Sequence, residues 1–191
     1  MKTLLEVDNL AIGYTNILQK QLRFKIKEGD IFLIKGENGT GKTSLVRTIL
    51  GQQKVLQGKI DWTIDENRRG YLPQLANYDF PLSITLGEIL ESFSLHQKAL
   101  SVIDKRTIRR CWRDASGGEK QKVLILTRLQ KDVDFLLLDE PFNHMDEKNI
   151  EDVTDLLFYF MDKKILKAVL LISHFFPNKM KRRLSGEMEL I

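Results

Sequence analysis

Cysteine and long hydrophobic segments are nearly absent from this sequence. The single cysteine, Cys111, excludes an intramolecular disulfide and a cysteine-rich metal site. The longest apolar stretches, at residues 135–138 and 168–172, are far shorter than the ~20 residues of a membrane-spanning helix. Glu6 and Asp8 stand where a signal peptide would need its apolar segment. We therefore expect a cytoplasmic protein with no membrane span of its own.

Repeats, low-complexity tracts and proline-rich linkers are missing as well. The 191 residues correspond to one domain, at about 150 residues per domain. Positive and negative charges nearly balance, because 30 Lys and Arg residues and 26 Asp and Glu residues give a formal net charge of +4 at pH 7. This mildly basic balance permits a membrane surface or a nucleic acid as a partner and demonstrates neither.

Short apolar segments alternate with amphipathic ones along most of the chain. Strands are predicted at residues 4–10, 22–26, 31–34, 59–64, 70–74, 135–138 and 169–172. Helices are predicted at residues 42–50, 119–129 and 147–160, and a small helical lobe at 81–112. The alternation favours an α/β fold with a parallel sheet covered on both faces. Because the opening strands precede any helix, part of the sheet is expected to be antiparallel.

The clearest motif is Gly36-Glu37-Asn38-Gly39-Thr40-Gly41-Lys42-Thr43, which fits the P-loop pattern G-x-x-x-x-G-K-[ST]. Its glycines let backbone N–H groups point at phosphate oxygens, and the helix that follows offers its N-terminus to the same anion. Lys42 would reach the terminal phosphates, Thr43 would supply a hydroxyl to Mg²⁺, and Ser44 could donate to the α-phosphate. A glycine-rich turn that merely carries a lysine is the alternative, which the apolar segment before it and the helix after it disfavour.

Two carboxylates, Asp139 and Glu140, follow the apolar segment at residues 135–138. Ionised carboxylates avoid dry sites, so a buried strand that ends in two of them needs a reason. Asp139 can hold the Mg²⁺ shell through water, and Glu140 can polarise the water that attacks a γ-phosphate. An ordinary solvated pair at a strand end is the alternative, and the nearby P-loop motif makes it the weaker one.

Five further elements resemble motifs of the ATP-binding cassette (ABC) ATPases. Residues 115–119, Ala-Ser-Gly-Gly-Glu, look like the LSGGQ signature. Gln74 is similar to the Q-loop glutamine, residues 143–146 to the D-loop, and His174 to the switch histidine. Tyr14 stands where the family keeps an aromatic ring that stacks on adenine. With the P-loop and the two carboxylates, these elements follow the family's order and span nearly the whole chain.

The resemblance implies a P-loop NTPase with a mixed sheet, as one ABC ATPase domain over residues 1–191 with a helical subdomain inserted at 75–116. Its implied cofactors are ATP and Mg²⁺. The implied nucleotide contacts are Tyr14, Gly36, Glu37, Asn38, Gly39, Thr40, Gly41, Lys42, Thr43, Ser44, Gln74, Ser116, Gly117, Gly118 and Asp146. The implied metal ligands are Thr43, Gln74 and Asp139, and the implied catalytic residues are Glu140, His174 and Lys42.

Each carried-over role has an ordinary structural alternative. Tyr14 could be a strand tyrosine half packed in the core, and Gln74 a plain loop residue. His174 could simply end a strand, although an imidazole there suits a hydrogen bond to the γ-phosphate. Ser116 could be a helix N-cap, a role compatible with phosphate binding. One departure from the family is Glu119, which stands where glutamine is usual; it removes none of the phosphate donors but adds a negative charge near them.

Other departures bear less on the site. Ala115 replaces the leucine of the signature, and Phe175 follows His174 where aspartate is usual. Residues 184–187, Leu-Ser-Gly-Glu, look like a second signature, but they contain one glycine and leave no length for a helix. They are therefore not expected to bind phosphate.

Members of the family place two cassettes head to tail, so the resemblance implies a second ABC subunit, expected to be another copy. It also implies a separate transmembrane permease, with this chain peripheral on the inner face of the plasma membrane. The alternative is a soluble ABC ATPase acting on ribosomes or another macromolecular assembly. We expect residues 81–112 and the Gln74 loop to form the docking face, with Tyr78 and Phe80 as apolar contacts. The alternative is that Phe80 and Leu82 seal the core of the lobe itself. The nearby basic residues at 105–110 could face anionic headgroups or RNA.

Overall fold

The structure is a computed structural model and describes residues 1–14, 16–74 and 83–191. The β-strands are β1 (Thr3–Gly13), β2 (Ile17–Lys27), β3 (Ile31–Gly36), β4 (Gln57–Trp62), β5 (Arg69–Leu72), β6 (Phe135–Asp139), β7 (Ala168–Ile172) and β8 (Leu184–Leu190). The α-helices are α1 (Lys42–Ile49), α2 (Leu86–Glu91), α3 (Gln97–Leu100), α4 (Lys105–Ile108), α5 (Gly117–Thr127), α6 (Glu147–Asp162) and α7 (Asn178–Lys181). Two short 3₁₀ helices lie at Glu66–Arg68 and Trp112–Asp114.

The strands form two sheets. Five parallel strands lie in the order β5-β6-β7-β3-β8, and three antiparallel strands lie in the order β2-β1-β4. The predicted α/β class with antiparallel opening strands and a parallel core is confirmed. The antiparallel strands form a sheet of their own instead of extending the parallel one.

The parallel sheet is covered on both faces, which explains the apolar sequences of its central strands β6 and β7. Every residue of β6 and β7 is buried. Side chains alternate between the faces, so Phe135 and Leu137 pack with α1 and the antiparallel sheet. Leu136 and Leu138 pack instead with α5 and α6. Because all five strands run the same way, their carboxyl ends meet at one edge, where α/β folds bind ligands.

The longer helices agree with their sequence patterns. Helix α6 buries Val153, Leu156, Leu157 and Phe160, whose spacing matches the helical repeat. Its N-cap is Asp146, whose carboxylate accepts the Asn149 N–H at 2.7 Å. In the part of the chain that the structure describes, no helix combines the length and apolarity needed to cross a membrane.

The segment expected to be a helical lobe contains three short helices, α2, α3 and α4. Helix α2 begins with a capping box in which Thr85 and Glu88 satisfy each other's backbone N–H groups, and it packs on α5. The limits of an inserted subdomain at 75–116 stay a prediction, and its first residues, with Tyr78 and Phe80, lie outside the described residues.

Two C-terminal elements, β8 and α7, were not predicted. Strand β8 contains the residues that look like a second signature, and it pairs in parallel with β3. Gly186 faces the Phe32 ring so closely that a Cβ would lie 2.8 Å from Phe32 Cε2. Ser185 Oγ accepts the Ile31 N–H at 3.2 Å. The apolar and polar residues that alternate at Met188, Glu189 and Leu190 are the sequence signal for this strand, and its burial alternates in the same way.

Candidate functional site

The P-loop connects β3 to α1 at the carboxyl edge of the parallel sheet. Gly41 caps α1 with φ 97°, a conformation that glycine adopts without cost. Gly36 has no room for a side chain, because a Cβ would lie 2.6 Å from Thr40 Oγ1. Lys42 Nζ donates to the carbonyl oxygens of Gly36 at 2.6 Å and Glu37 at 2.9 Å. The ammonium group therefore lies inside the loop, within reach of an anion that enters it.

A hollow of about 240 Å³ lies against this loop. Its lining residues are Leu18, Asn38, Gly39, Gly41, Lys42, Thr43, Ser44 and Gln74. The structure thus brings the Gln74 segment, which follows β5, to the same cavity as the P-loop. Five of these eight residues carry hydroxyl, amide or ammonium groups, which suit a triphosphate.

Asp139 ends β6 beside the Gln74 segment, and the backbone N–H of Gln74 donates to its carboxylate. Burial raises the pKa of Asp139 to about 6, and the charge of Glu140 adds to the rise. Lys42 and the Gln74 N–H oppose that rise without cancelling it. A cation beside Asp139 would favour the ionised carboxylate and would therefore offset the cost of burying its charge.

Glu140 is held in an unusual conformation for a residue with a side chain. Its φ is +49°, and its backbone N–H donates to Ile172 O at 2.7 Å. The carboxylate is buried, where it accepts hydrogen bonds from Ser173 Oγ at 2.9 Å and from the His174 N–H at 3.3 Å. A left-handed conformation of this kind costs about 1–3 kcal/mol and persists where the surroundings enforce it, often at functional sites.

His174 links this buried carboxylate to the surface. Its Nδ1 lies 3.0 Å from the Glu140 carboxylate, a hydrogen bond when that nitrogen carries the proton. Its side chain is 65% exposed, against 4% for Glu140. The outer part of the imidazole is therefore free to meet a ligand while its inner nitrogen stays with Glu140.

The signature segment begins α5. Ser116 is the N-cap, and its hydroxyl accepts the Glu119 N–H at 3.2 Å. In return the Glu119 carboxylate accepts the Ser116 N–H at 2.8 Å, which completes a capping box. Gly118 touches the D-loop segment so closely that a Cβ would lie 2.8 Å from His144 O. The alternative of Ser116 as an N-cap is thus realised, and the hydroxyl hydrogen of Ser116 is still able to donate to a phosphate.

The remaining predicted contacts lie apart from the P-loop hollow. Asp146 is exposed and caps α6; it borders a separate polar hollow of about 480 Å³ together with Glu119 and Lys122. Tyr14 is 62% exposed and its hydroxyl accepts from Arg47 Nη1 at 3.2 Å. Among the described residues, the lining of the P-loop hollow includes neither the signature residues nor Asp146.

Some residues of the site were not predicted. Leu18 of β2 lines the P-loop hollow, and Gln19 Nε2 donates to Thr40 O at 3.1 Å. Ser173, which holds Glu140, had a usable signal, because it is a polar residue at the end of a wholly apolar strand. Arg110 contacts Glu119 with Nη1 at 2.9 and 2.8 Å from the two carboxylate oxygens, so one residue of the basic stretch faces the signature.

Comparisons with known proteins agree with this geometry. A family model described as ABC transporter matches residues 19–143. The molybdate import ATP-binding protein of Haemophilus influenzae is 31% identical over 175 residues, covering 82% of this chain and 68% of that protein. The zinc import ATP-binding protein of Vibrio cholerae is 31% identical over 183 residues, covering 91% and 68%. An inward-facing structure assigned to the metal-chelate type of ABC transporter has a TM-score of 0.79 at 26% identity, covering 99% of this chain and 80% of that one.

Proposed function

This chain belongs to the ABC transporter family as an ATP-binding subunit and an ATPase, and from this premise we propose that it drives a transporter as half of a head-to-tail dimer. The observation that carries the proposal is that, among the residues the structure describes, the lining of the P-loop hollow does not include the signature of the same chain. An isologous dimer with a second copy would join each P-loop to the partner's signature and create two equivalent sites. The transmembrane subunit would be a separate chain.

The P-loop half of the proposed site, formed by residues 36–44 with Gln74, Asp139 and Glu140, would bind the triphosphate. The backbone N–H groups of the loop and the N-terminus of α1 favour the phosphate oxygens. Lys42 would exchange the carbonyl oxygens of Gly36 and Glu37 for terminal phosphate oxygens, a stronger charge-assisted contact. Tyr14 directly follows β1 and Leu18 lies in β2; both are exposed, and we assign them to the adenine base.

The chain offers a donor set that fits Mg²⁺. Thr43, Gln74 and Asp139 provide hydroxyl, amide and carboxylate oxygens, the hard ligands that this ion prefers. The raised pKa of Asp139 supports the assignment, since a buried carboxylate of this kind is favourable only beside a cation. An ion held by these residues would supply positive charge that offsets the negative charge on the triphosphate and on the ADP that leaves when water attacks the γ-phosphate.

Glu140 would act as the general base. Its carboxylate would take a proton from the water that attacks the γ-phosphate, while Ser173 and His174 hold both of its oxygens in place. The exposed side of His174 would hydrogen-bond the γ-phosphate. In the dimer, Ser116, Gly117 and Gly118 of the partner would approach that phosphate from the other side, and hydrolysis would release them.

A permease is proposed to dock on the helical lobe, with the chain peripheral on the inner face of the plasma membrane. An apolar hollow of about 370 Å³ between α2 and α5, lined in part by Ile84, Ile89 and Phe93, supports this face. The relatives named above are import subunits for molybdate and for zinc. These names favour the transporter over the alternative on ribosomes, which gains no support from them.

The composite site can be tested by mixing two inactive variants. Lys42→Ala should lose ATP affinity, and Ser116→Arg should block the signature. If sites form between chains, a mixture should recover part of the phosphate release, since one of the two hybrid sites has both wild-type halves. Failure of rescue between variants that fold and dimerise would contradict sites shared between chains.

Docking can be tested by location in native cells. We expect recovery in the membrane fraction, and release from it when Tyr78→Ser and Phe80→Ser are combined. Leu56→Ser is a matched control, because Leu56 is an exposed apolar residue outside the lobe. Cosedimentation with ribosomes that salt abolishes, and that these substitutions leave unchanged, would overturn the transporter assignment.

A further inference from the structure

The start of α5 carries a negative charge where the proposed dimer would place a second one. Glu119 is the third residue of the helix, and its carboxylate accepts the Ser116 N–H at 2.8 Å. That carboxylate uses the partial positive charge of the helix N-terminus, which is the feature that would attract a γ-phosphate. On its own, Glu119 would therefore oppose the binding of ATP held by the partner.

Arg110 compensates for this charge. Its Nη1 lies 2.9 Å from Oε1 and 2.8 Å from Oε2 of Glu119. The backbone near Arg110 is fixed as well, since its carbonyl oxygen accepts the Leu86 N–H at 3.0 Å. By contrast, Arg113 is 85% exposed and contacts only its neighbour Asp114 among the ion pairs of the described residues, at 3.6 Å.

The titration of Glu119 is consistent with this pairing. Burial acts to raise the pKa of Glu119, but the hydrogen bonds from Ser116 and the charge of Arg110 outweigh it and hold that pKa below its usual value. Glu119 therefore stays ionised near neutral pH, and the pair carries no net charge.

We propose that Arg110 is a positioning residue for ATP-dependent dimerisation, because it neutralises Glu119 and so leaves the signature able to accept the γ-phosphate of the partner's ATP. The inference rests on the proposed head-to-tail dimer and names a residue on which that dimer depends. It also explains how a glutamate is tolerated at a position where the family usually has glutamine. The arginine is supplied by the segment between α4 and α5, outside the signature itself.

The test measures the dimer dissociation constant by sedimentation in ATP, with Glu140→Gln in every chain to prevent hydrolysis. Arg110→Gln should weaken the dimer by about tenfold, which corresponds to about 1.4 kcal/mol. Arg110→Lys should lose less, because it keeps the charge. Combining Arg110→Gln with Glu119→Gln should restore affinity to within about twofold of the parent, since the repelling charge is then gone. Arg113→Gln is the matched control and should change nothing.

A second measurement repeats the dimer dissociation constants at different ionic strengths. The difference between the parent and Arg110→Gln should shrink as ionic strength rises, because screening weakens an exposed charge effect. Equal dimer affinity in the parent and in Arg110→Gln would overturn the inference. So would an equal loss with and without Glu119→Gln, since that pattern shows a packing role. Absence of any ATP-dependent dimer in the Glu140→Gln parent would instead contradict the proposed function, and this inference with it.

Discussion

Asp139 in the P-loop half and Glu119 in the signature half, which consists of residues 115–119 with Arg110, are both carboxylates beside proposed phosphate sites. Their surroundings nevertheless shift their pKa values in opposite directions. Burial and the neighbouring Glu140 raise the pKa of Asp139 to about 6. Hydrogen bonds from Ser116 and the charge of Arg110 outweigh burial and lower the pKa of Glu119. The first carboxylate is unfavourable until a cation arrives, whereas the second is already compensated by the chain.

This difference indicates that the charges of the two halves are compensated to different degrees before nucleotide binds. The P-loop half holds buried carboxylates, a left-handed Glu140 and a lysine bound to carbonyl oxygens, so a ligand that compensates these groups should stabilise it. The signature half is a capped helix whose groups already have partners. It should therefore respond to nucleotide on the other chain with little rearrangement. Substitutions that remove charge should then have opposite effects on stability in the two halves.

The largest expected effect lies at Glu140. Glu140→Gln should lower phosphate release by about 10²–10⁴-fold, because a general base contributes about that much. ATP binding should persist, and an ATP-bound dimer should accumulate on gel filtration, since the substitution also removes a negative charge between two triphosphates. Glu151→Gln, on the exposed face of α6, is the matched control and should retain activity. Undiminished turnover in Glu140→Gln would remove Glu140 from the proposed mechanism.

A substitution of Asp139 tests whether buried charge destabilises the P-loop half in the absence of nucleotide. The folded pKa of about 6 lies above the ordinary aspartate value of 3.8, so the folded state binds the proton more tightly than the unfolded state. The stability contributed by protonated Asp139 is therefore present below about pH 4 and is lost as pH rises through about 6. Asp139→Asn should stabilise the nucleotide-free protein by about 1–3 kcal/mol at about pH 7.5.

Urea unfolding without Mg²⁺ and nucleotide measures this change, and the gain should shrink as pH falls from about 7 to 4. The same variant should lose ATPase activity, because the proposed metal ligand is gone. A destabilised Asp139→Asn at about pH 7.5 would show that Asp139 is already compensated, and the contrast between the halves would fail.

Substitutions of Ser173 test how the P-loop half positions its proposed general base, Glu140. Its buried hydroxyl donates to Glu140 Oε2 at 2.9 Å and accepts the Phe175 N–H at 3.2 Å. Ser173→Ala should lower kcat by about fivefold, equivalent to about 1 kcal/mol for one hydrogen bond, with little change in the KM for ATP. Ser173→Thr keeps the hydroxyl and should recover most of the rate. A change in KM alone would indicate that Ser173 acts on binding and not on Glu140.

The contrast between the halves was only partly predictable from the sequence. The P-loop half could be located because a continuous motif fixes its own backbone, and because Asp139 and Glu140 directly follow an apolar strand. The charge balance of the signature half could not, since Arg110 reaches Glu119 from another segment and is one of several arginines there. Leu18 and Gln19 were missed for the same reason, because their roles arise from the packing of β2 against the loop.

The smallest expected effect is that of Glu119→Gln on the stability of the monomer. Glutamine can keep the capping box with Ser116, so the substitution removes only the charge interactions with Arg110 and with the helix N-terminus. Those interactions are partly solvated and together contribute about 0.5 kcal/mol. Because the folded pKa of Glu119 is depressed, the stability that its charge contributes is present above the ordinary glutamate value of 4.5 and is lost as pH falls through the folded pKa.

Glu119→Gln should therefore destabilise the protein slightly at about pH 7.5, and the difference from wild type should vanish at lower pH and in high salt. Urea unfolding at two salt concentrations, beside Asp139→Asn in the same buffers, compares the halves directly. Opposite signs at neutral pH are expected, with the gain at Asp139 several times larger than the loss at Glu119. If Glu119→Gln were instead stabilising, Arg110 would not compensate the carboxylate, and both halves would have to be regarded as strained until nucleotide binds.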